Sequence, residues 1–192
     1  MIFIHLQGMI LFENMIIVGG TGRNIGKTTL AETLIKKLNR FGPVVGIKIS
    51  NIKPEGLEFH GNHDVQSNED FSIWEETSTN GNKDSMRFLK AGAQKSFFIQ
   101  TGDAFLKDAF KEVQNHLSGK EIVVCESNSL INIMKPAVFL MVKGESNGAS
   151  KAYVDELLKR ADHVLNAMDL AQFESVADSM TLDEGQIKLI IQ

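Results

Sequence analysis

Apolar residues along this chain collect into short runs, and the runs alternate with stretches in which apolar positions recur every three or four residues. MIIV (15–18), VVGIKIS (44–50), KSFFIQ (95–100), EIVVCE (121–126), PAVFLMV (136–142), HVLNA (163–167) and the closing IKLIIQ (187–192) read as strands. Between them AETLIKKLNRF (31–41), DSMRFLKAGA (84–93), DAFLKDAFKEVQNHL (103–117), YVDELLKRA (153–161) and DLAQFESVADSM (169–180) read as helices. Leu30, Leu34 and Leu38 fall on one face of the first helix with Ala31 and Ile35, and Phe105, Ala109, Val113 and Leu117 recur four apart in a later one. Strands alternating with helices predict an α/β fold: a mostly parallel central sheet with helices on both faces. The polar stretch from Asn51 to Lys83 has no clear period and reads as a long loop. With no repeat, low-complexity segment or linker, residues 1–192 read as a single domain.

The first fourteen residues, MIFIHLQGMILFEN, stand apart as a possible extra N-terminal segment. They lack the basic region of a signal peptide and are too short to span a bilayer. They read either as an extra strand or as the product of a start placed too early, since Met15 could begin the strand directly.

Composition narrows the class. The 192 residues are 43% hydrophobic and 23% charged, which is ordinary for a soluble domain with a sizeable core. A net charge of −4 argues against general affinity for nucleic acid or anionic membrane. The single cysteine, Cys125, lies inside an apolar run, where it reads as a small core residue rather than a nucleophile. One cysteine allows no intrachain disulfide, and the expected location is cytoplasmic.

The candidate chemistry begins with GGTGRNIGKTTL (19–30), placed between an apolar run and an amphipathic stretch. A glycine-rich turn feeding a helix N-terminus offers inward N–H groups and a partial positive charge, which suit phosphate. In the P-loop pattern G-x-x-x-x-G-K-[ST], Gly26 lets the backbone approach the anion, Lys27 reaches the β- and γ-phosphates, and the Thr28 hydroxyl takes a Mg²⁺ position. The loop residues Gly22, Arg23, Asn24, Ile25, Gly26, Lys27, Thr28 and Thr29 are the expected nucleotide cradle. Thr21 stands where the pattern has its first glycine, a variant expected to be tolerated because Gly19, Gly20 and Gly22 surround it.

In open parallel sheets ligands sit beyond the carboxyl ends of the strands. That selects Lys48, Glu126 and Asn166. Glu126 ends a strand expected beside the P-loop strand, and a carboxylate there is the natural Mg²⁺ partner. His60-Gly-Asn-His63-Asp64 has metal-ligand residue types, but polar loops usually carry such residues without a metal. Trp74 could stack on a flat ligand and reads more readily as a hydrophobic anchor. Phe97, Phe98, Met134, Phe139 and Met141 read as core, and Lys159 and Arg160 as basic residues suiting a helix C-terminus.

These residues carry a resemblance. GKTTL at 26–30, VGIK at 45–48, His60 and His63, KDS at 83–85 followed by AGA at 91–93, and VVCE at 123–126 occur in the order found in molybdopterin-guanine dinucleotide biosynthesis adaptor proteins, the MobB family. The chain resembles that family from Met15 to Val142, the KDS…AGA block being its most specific part. It departs at Glu126-Ser127-Asn128-Ser129, where the family has E-G-F, and in a longer stretch between Lys48 and Lys83. The resemblance implies a P-loop NTPase fold, Mg²⁺ with GTP or ATP, and slow nucleotide hydrolysis. It implies molybdopterin and a guanylyltransferase as partners.

The wider likeness to dethiobiotin synthetase implies Thr28, Asp84 and Glu126 as Mg²⁺ ligands. It places Lys48 near the phosphates or the second substrate, so that Lys27, Lys48 and Glu126 would carry any catalysis. It also implies the alternative function, an ATP-dependent kinase or ligase for a small molecule. Asp84 and Glu126 together suggest crowded negative charge that their replacement would relieve. Gly22 stands where the related deviant ATPases carry a signature lysine, so a dimer completed by that lysine is not indicated; a homodimer of another kind stays open. No N-K-x-D motif reads guanine, and Asn166 is the candidate for reading a base. The ESNS turn and residues 51–82 are expected to flank the nucleotide, the turn bounding a second cleft and the long stretch choosing the partner.

Overall fold

The computed structural model describes residues 5–6, 9–51, 64–67, 70–144 and 151–190. In chain order these form β1 (His5–Leu6), β2 (Met9–Gly20), α1 (Lys27–Leu38), β3 (Val44–Asn51), β4 (Asp64–Ser67) and β5 (Phe71–Glu76). Then follow α2 (Asp84–Lys90), β6 (Lys95–Thr101), α3 (Leu106–Gln114), β7 (Ile122–Glu126) and β8 (Met134–Lys143). The chain continues through α4 (Lys151–Arg160), β9 (His163–Asn166), α5 (Leu170–Asp178), β10 (Met180–Asp183) and β11 (Gln186–Leu189). The large sheet has the order β4-β5-β6-β3-β7-β2-β8-β9, with β1 paired to β2. From β6 to β9 every neighbouring pair is parallel; β1, β4 and β5 pair antiparallel. The fold is α/β with a mostly parallel central sheet, as the alternation of patterns implies.

Because side chains alternate along a strand, the sheet has two apolar faces. On one, Ile16, Val18, Val44, Val124 and Leu140 pack with Leu30, Leu34 and Leu38 of α1, Phe88 of α2 and Phe173 of α5. On the other, Ile17, Ile47, Val123, Cys125 and Phe97 pack with Ala109, Phe110 and Val113 of α3 and Leu157 of α4. Strands covered on both sides need near-continuous apolar runs, which is why EIVVCE and PAVFLMV show no alternation. Burial pushes the Cys125 thiol far above its ordinary range, which fits a core residue and not a nucleophile.

Gly46 shows how closely a helix sits on the sheet. A Cβ there would lie 2.7 Å from Cβ of Phe88, a fully buried side chain whose own Cβ cannot swing aside. Gly46→Ala is therefore expected to destabilise the fold by about 1–3 kcal/mol through overpacking. Urea unfolding checks this, and an unchanged midpoint would show that α2 shifts without cost.

Several expectations change. The strand does not begin at Met15: β2 starts at Met9, and buried Phe12 meets the Phe110 ring edge-on at 6.0 Å. Residues 9–14 thus belong to the sheet, with a register shift against β8 between Phe12 and Ile16. The stretch 51–83 is not one long loop. It contains β4 and β5, and Phe71, Ile73 and Trp74 are buried. The run FSIW is aromatic and β-branched, as strands prefer, but polar flanks on both sides disguise it. Phe105 precedes α3 and is exposed; the buried stripe runs through Leu106, Ala109, Phe110 and Val113. IKLIIQ does not join the large sheet, because β11 pairs with β10 in a separate hairpin. His60 and His63 lie outside the described residues.

Candidate functional site

The glycine-rich loop connects the buried end of β2 to α1 and turns through left-handed residues at Asn24 (φ 56°) and Gly26 (φ 102°). Gly26 suits that backbone, and a Cβ there would also meet Met168 and Phe173 at 3.1–3.2 Å. Thr21 has no such conformation, so no glycine is required where the P-loop pattern places one. It is buried, its hydroxyl donates to the Gly144 carbonyl at 2.9 Å and accepts from the Gly144 N–H at 2.9 Å, and its own N–H bonds Val142. The threonine is a clasp onto the end of β8, not a variant excused by neighbouring glycines. Asn128 fastens the other side: its side chain accepts from the Gly20 N–H at 2.8 Å and donates to the Gly20 carbonyl at 2.9 Å.

The charged groups lie on one lateral row of the sheet. Register pairs Val18 with Glu126, Glu126 with Lys48, Lys48 with Phe98 and Phe98 with Trp74. Residues paired across strands point to the same face, so the row carries Glu126 and Lys48 beside the start of α1. There the Thr28 hydroxyl lies 2.8 Å from Glu126 Oε2 and 3.1 Å from Asp84 Oδ1. Lys48 Nζ lies 2.5 Å from Glu126 Oε1 and 2.8 Å from Asp84 Oδ2. Thr28, Asp84 and Glu126 are thus brought together from α1, α2 and β7, with the Lys48 ammonium between the carboxylates. Lys48 also answers the expectation of crowded negative charge: each carboxylate is compensated, so replacing one is expected to weaken the apo site rather than relieve it.

Burial alone would lower the ammonium of Lys48, but Glu126 and Asp84 hold it above its ordinary value. Burial would likewise raise Asp84, yet charge and hydrogen bonding from Lys48, with Thr28, hold it below the ordinary carboxylate range. For Lys27 burial dominates and lowers the ammonium, with Glu126 opposing. Its Nζ donates to the Gly22 carbonyl within the loop.

A depressed carboxylate contributes stability above its unfolded pKa and loses it as pH falls through the folded value. The apo protein is therefore expected to shed this contribution below about pH 4, and Asp84→Asn to flatten that acid limb. Melting temperature against pH tests it; an acid limb of unchanged slope in the variant would remove Asp84 from the coupled pair.

Three cavities meet at Lys48. One of about 630 Å³ is lined by Arg23, Gly26, Lys27, Thr28 and Thr29, with Asn24, Asp84, Arg87, Glu126 and Met168. A second, about 390 Å³, runs from Gly22, Arg23 and Lys27 past Ser127, Asn128 and Ser129 to Tyr153. The ESNS turn thus bounds a cleft as its position suggested. A third, about 280 Å³, lies between β5, β6 and the segment preceding and opening α2. Of the expected cradle, Ile25 alone turns its side chain into the core, leaving only its backbone to the loop.

Arg87 escaped the sequence reading. It forks onto Glu32 at 3.0 and 2.7 Å and reaches Thr29 at 3.3 Å, at the cavity wall. Its spacing of three from Asp84 on one helix was the available signal. Asn166 is exposed at the end of β9, where its N–H donates to Gln172 Oε1 at 2.9 Å; Met168, two residues on, lines the large cavity instead. Arg160 spans to the loop before β8, donating to Asn132 Oδ1 at 2.9 Å and to the Ile131 carbonyl at 2.5 Å.

Two carboxylates and a hydroxyl form an oxygen-only donor set of the kind Mg²⁺ takes when phosphate and water complete its shell. Among the described residues no three His, Cys, Asp or Glu side chains cluster as a self-sufficient metal cage. Among the described residues no helix is long and apolar enough to cross a membrane. Comparisons with protein families, curated proteins and solved structures found no match.

Proposed function

We propose that this chain is a P-loop nucleoside triphosphate-binding protein. In this reading it acts as a MobB-like, GTP-binding adaptor with slow Mg²⁺-dependent hydrolysis in molybdenum-cofactor biosynthesis. The observation that carries the nucleotide reading is the meeting of Thr28, Asp84, Glu126 and Lys48 beside a loop turned through Gly26. Backbone N–H groups of residues 22–28 and the N-terminus of α1 would hold the β- and γ-phosphates. Lys27 would leave the Gly22 carbonyl for the phosphates. The Thr28 hydroxyl carries one proton and two lone pairs, so it can bind Mg²⁺ through oxygen while donating to a carboxylate.

The same contacts support the reading of slow turnover. Asp84 and Glu126 are both committed to Thr28 and Lys48, which leaves neither as an unencumbered base for water. Molybdopterin and a guanylyltransferase remain partners implied by the resemblance, and GTP is preferred over ATP on the same ground.

One observation favours the second reading, an ATP-dependent kinase or ligase of the dethiobiotin-synthetase type. Lys48 walls two further cavities besides the one along the loop, which would give a second substrate room beside the γ-phosphate. Equilibrium titration with GTP and ATP, with and without Mg²⁺, separates the readings. GTP bound at least about tenfold more tightly supports the adaptor. Preference for ATP moves the weight to the enzyme, and no Mg²⁺-dependent binding of either ends both.

A further inference from the structure

The cavity between β5, β6 and the segment opening α2 is not explained by phosphate binding. Its wall is aromatic: Trp74 and Phe98, neighbours in the lateral row, stack at 5.5 Å with an interplanar angle of 24°. Lys48 forms the side shared with the phosphate cavity, and Asn82, Lys83 and Ser85 also line it. At about 280 Å³ it falls just below the range of pockets for drug-sized ligands, which fits a compound of one or two rings.

Its polar groups are unevenly satisfied. Glu76 is largely committed, accepting from the N–H groups of Thr77 and Ser78 at 3.1 and 3.0 Å and from the Ser85 hydroxyl at 3.1 Å. Asp84 is taken by Thr28 and Lys48. Two lysines keep donors to spare. Trp74 is 6% exposed, and its indole N–H has no hydrogen-bond partner among the described residues. Lys48 uses two of its N–H groups on carboxylates, which leaves a third. Lys83 is exposed and forms no ion pair among the described residues.

We propose that this cavity binds a small planar carboxylate, its ring against Trp74 and Phe98 and its oxygens toward the Lys48 and Lys83 donors. Its role as a second substrate beside the γ-phosphate rests on the nucleotide reading above; its occupancy does not.

Trp74 is the only tryptophan, so its fluorescence reports the site directly. Benzoate and nicotinate serve as probes, benzamide as the flat uncharged control and acetate as the charged control without a ring. Saturable quenching by benzoate or nicotinate is expected, with both controls weaker by about tenfold or more, the worth of a charge-assisted contact. Phe98→Leu and the surface change Lys83→Ala should each weaken the aromatic carboxylate while leaving Mg-nucleotide affinity unchanged. Lys27→Ala should do the reverse. No saturable binding, equal binding of benzamide, or indifference to Lys83→Ala would overturn the proposal. If the carboxylate binds and no nucleotide does, the pocket stands and the phosphate reading falls; the opposite pair of results removes the pocket alone.

Discussion

Lys27→Ala is expected to lower Mg-nucleotide affinity on the order of 100-fold, the worth of two charge-assisted hydrogen bonds, with the fold intact. The side chain is only half-buried, its stem lies against Gly20, and among the described residues its ammonium reaches no partner beyond the carbonyl of its own loop. Losing it removes no core contact. The ammonium is also held below its ordinary value by burial, and a bound phosphate would raise it. Affinity should accordingly fall at high pH, as the apo lysine deprotonates, and this fall should vanish in the variant. Calorimetric titration across pH with parallel thermal melting measures both. Unchanged affinity with unchanged melting would remove the loop from nucleotide binding altogether.

The second large effect is expected from Glu126→Ala. Glu126 is 2% exposed and lies 2.5 Å from Lys48 Nζ, so its removal leaves a buried ammonium with Asp84 as its remaining carboxylate. Breaking one side of a buried pair costs about 3 kcal/mol, and the urea midpoint should fall by the corresponding amount. Mg²⁺ dependence of nucleotide binding should disappear in the same variant. Glu126→Gln, which keeps the shape and one acceptor oxygen, should recover part of the stability and little of the metal dependence. An alanine variant more stable than the parent would mean that the two carboxylates repel each other more than Lys48 joins them.

What the sequence made legible was local or set by period. The phosphate-binding pattern occupies a dozen consecutive residues, so its strand, turn and helix could be read directly, and Glu126 and Lys48 followed from the ends of apolar runs. Asp84 could be named only through the wider likeness to dethiobiotin synthetase, because nothing in its own neighbourhood says that α2 delivers it to Thr28 at 3.1 Å. Contacts between distant segments stayed hidden. Thr21 looked like a departure to be excused until its hydroxyl met Gly144, and Asn128 gave no sign that it fastens Gly20. Phe98 read as half of a core pair, but alternation along β6 buries Phe97 on one face and turns Phe98 toward Trp74 on the other. Strand β5 was lost because three strand-forming residues, Phe71, Ile73 and Trp74, sat in a polar setting. With it went the recognition that Trp74 belongs to the same lateral row as Glu126 and Lys48.

The most direct test of the nucleotide reading is a crystal structure with Mg²⁺ and a non-hydrolysable GTP or ATP analogue. The expected result has the β- and γ-phosphates against the backbone of residues 22–28 and Lys27 withdrawn from Gly22 to meet them. Mg²⁺ should be bound by Thr28 Oγ1, with Asp84 and Glu126 in its shell directly or through water. Phosphates lying elsewhere, or a metal remote from Thr28 and both carboxylates, would contradict it.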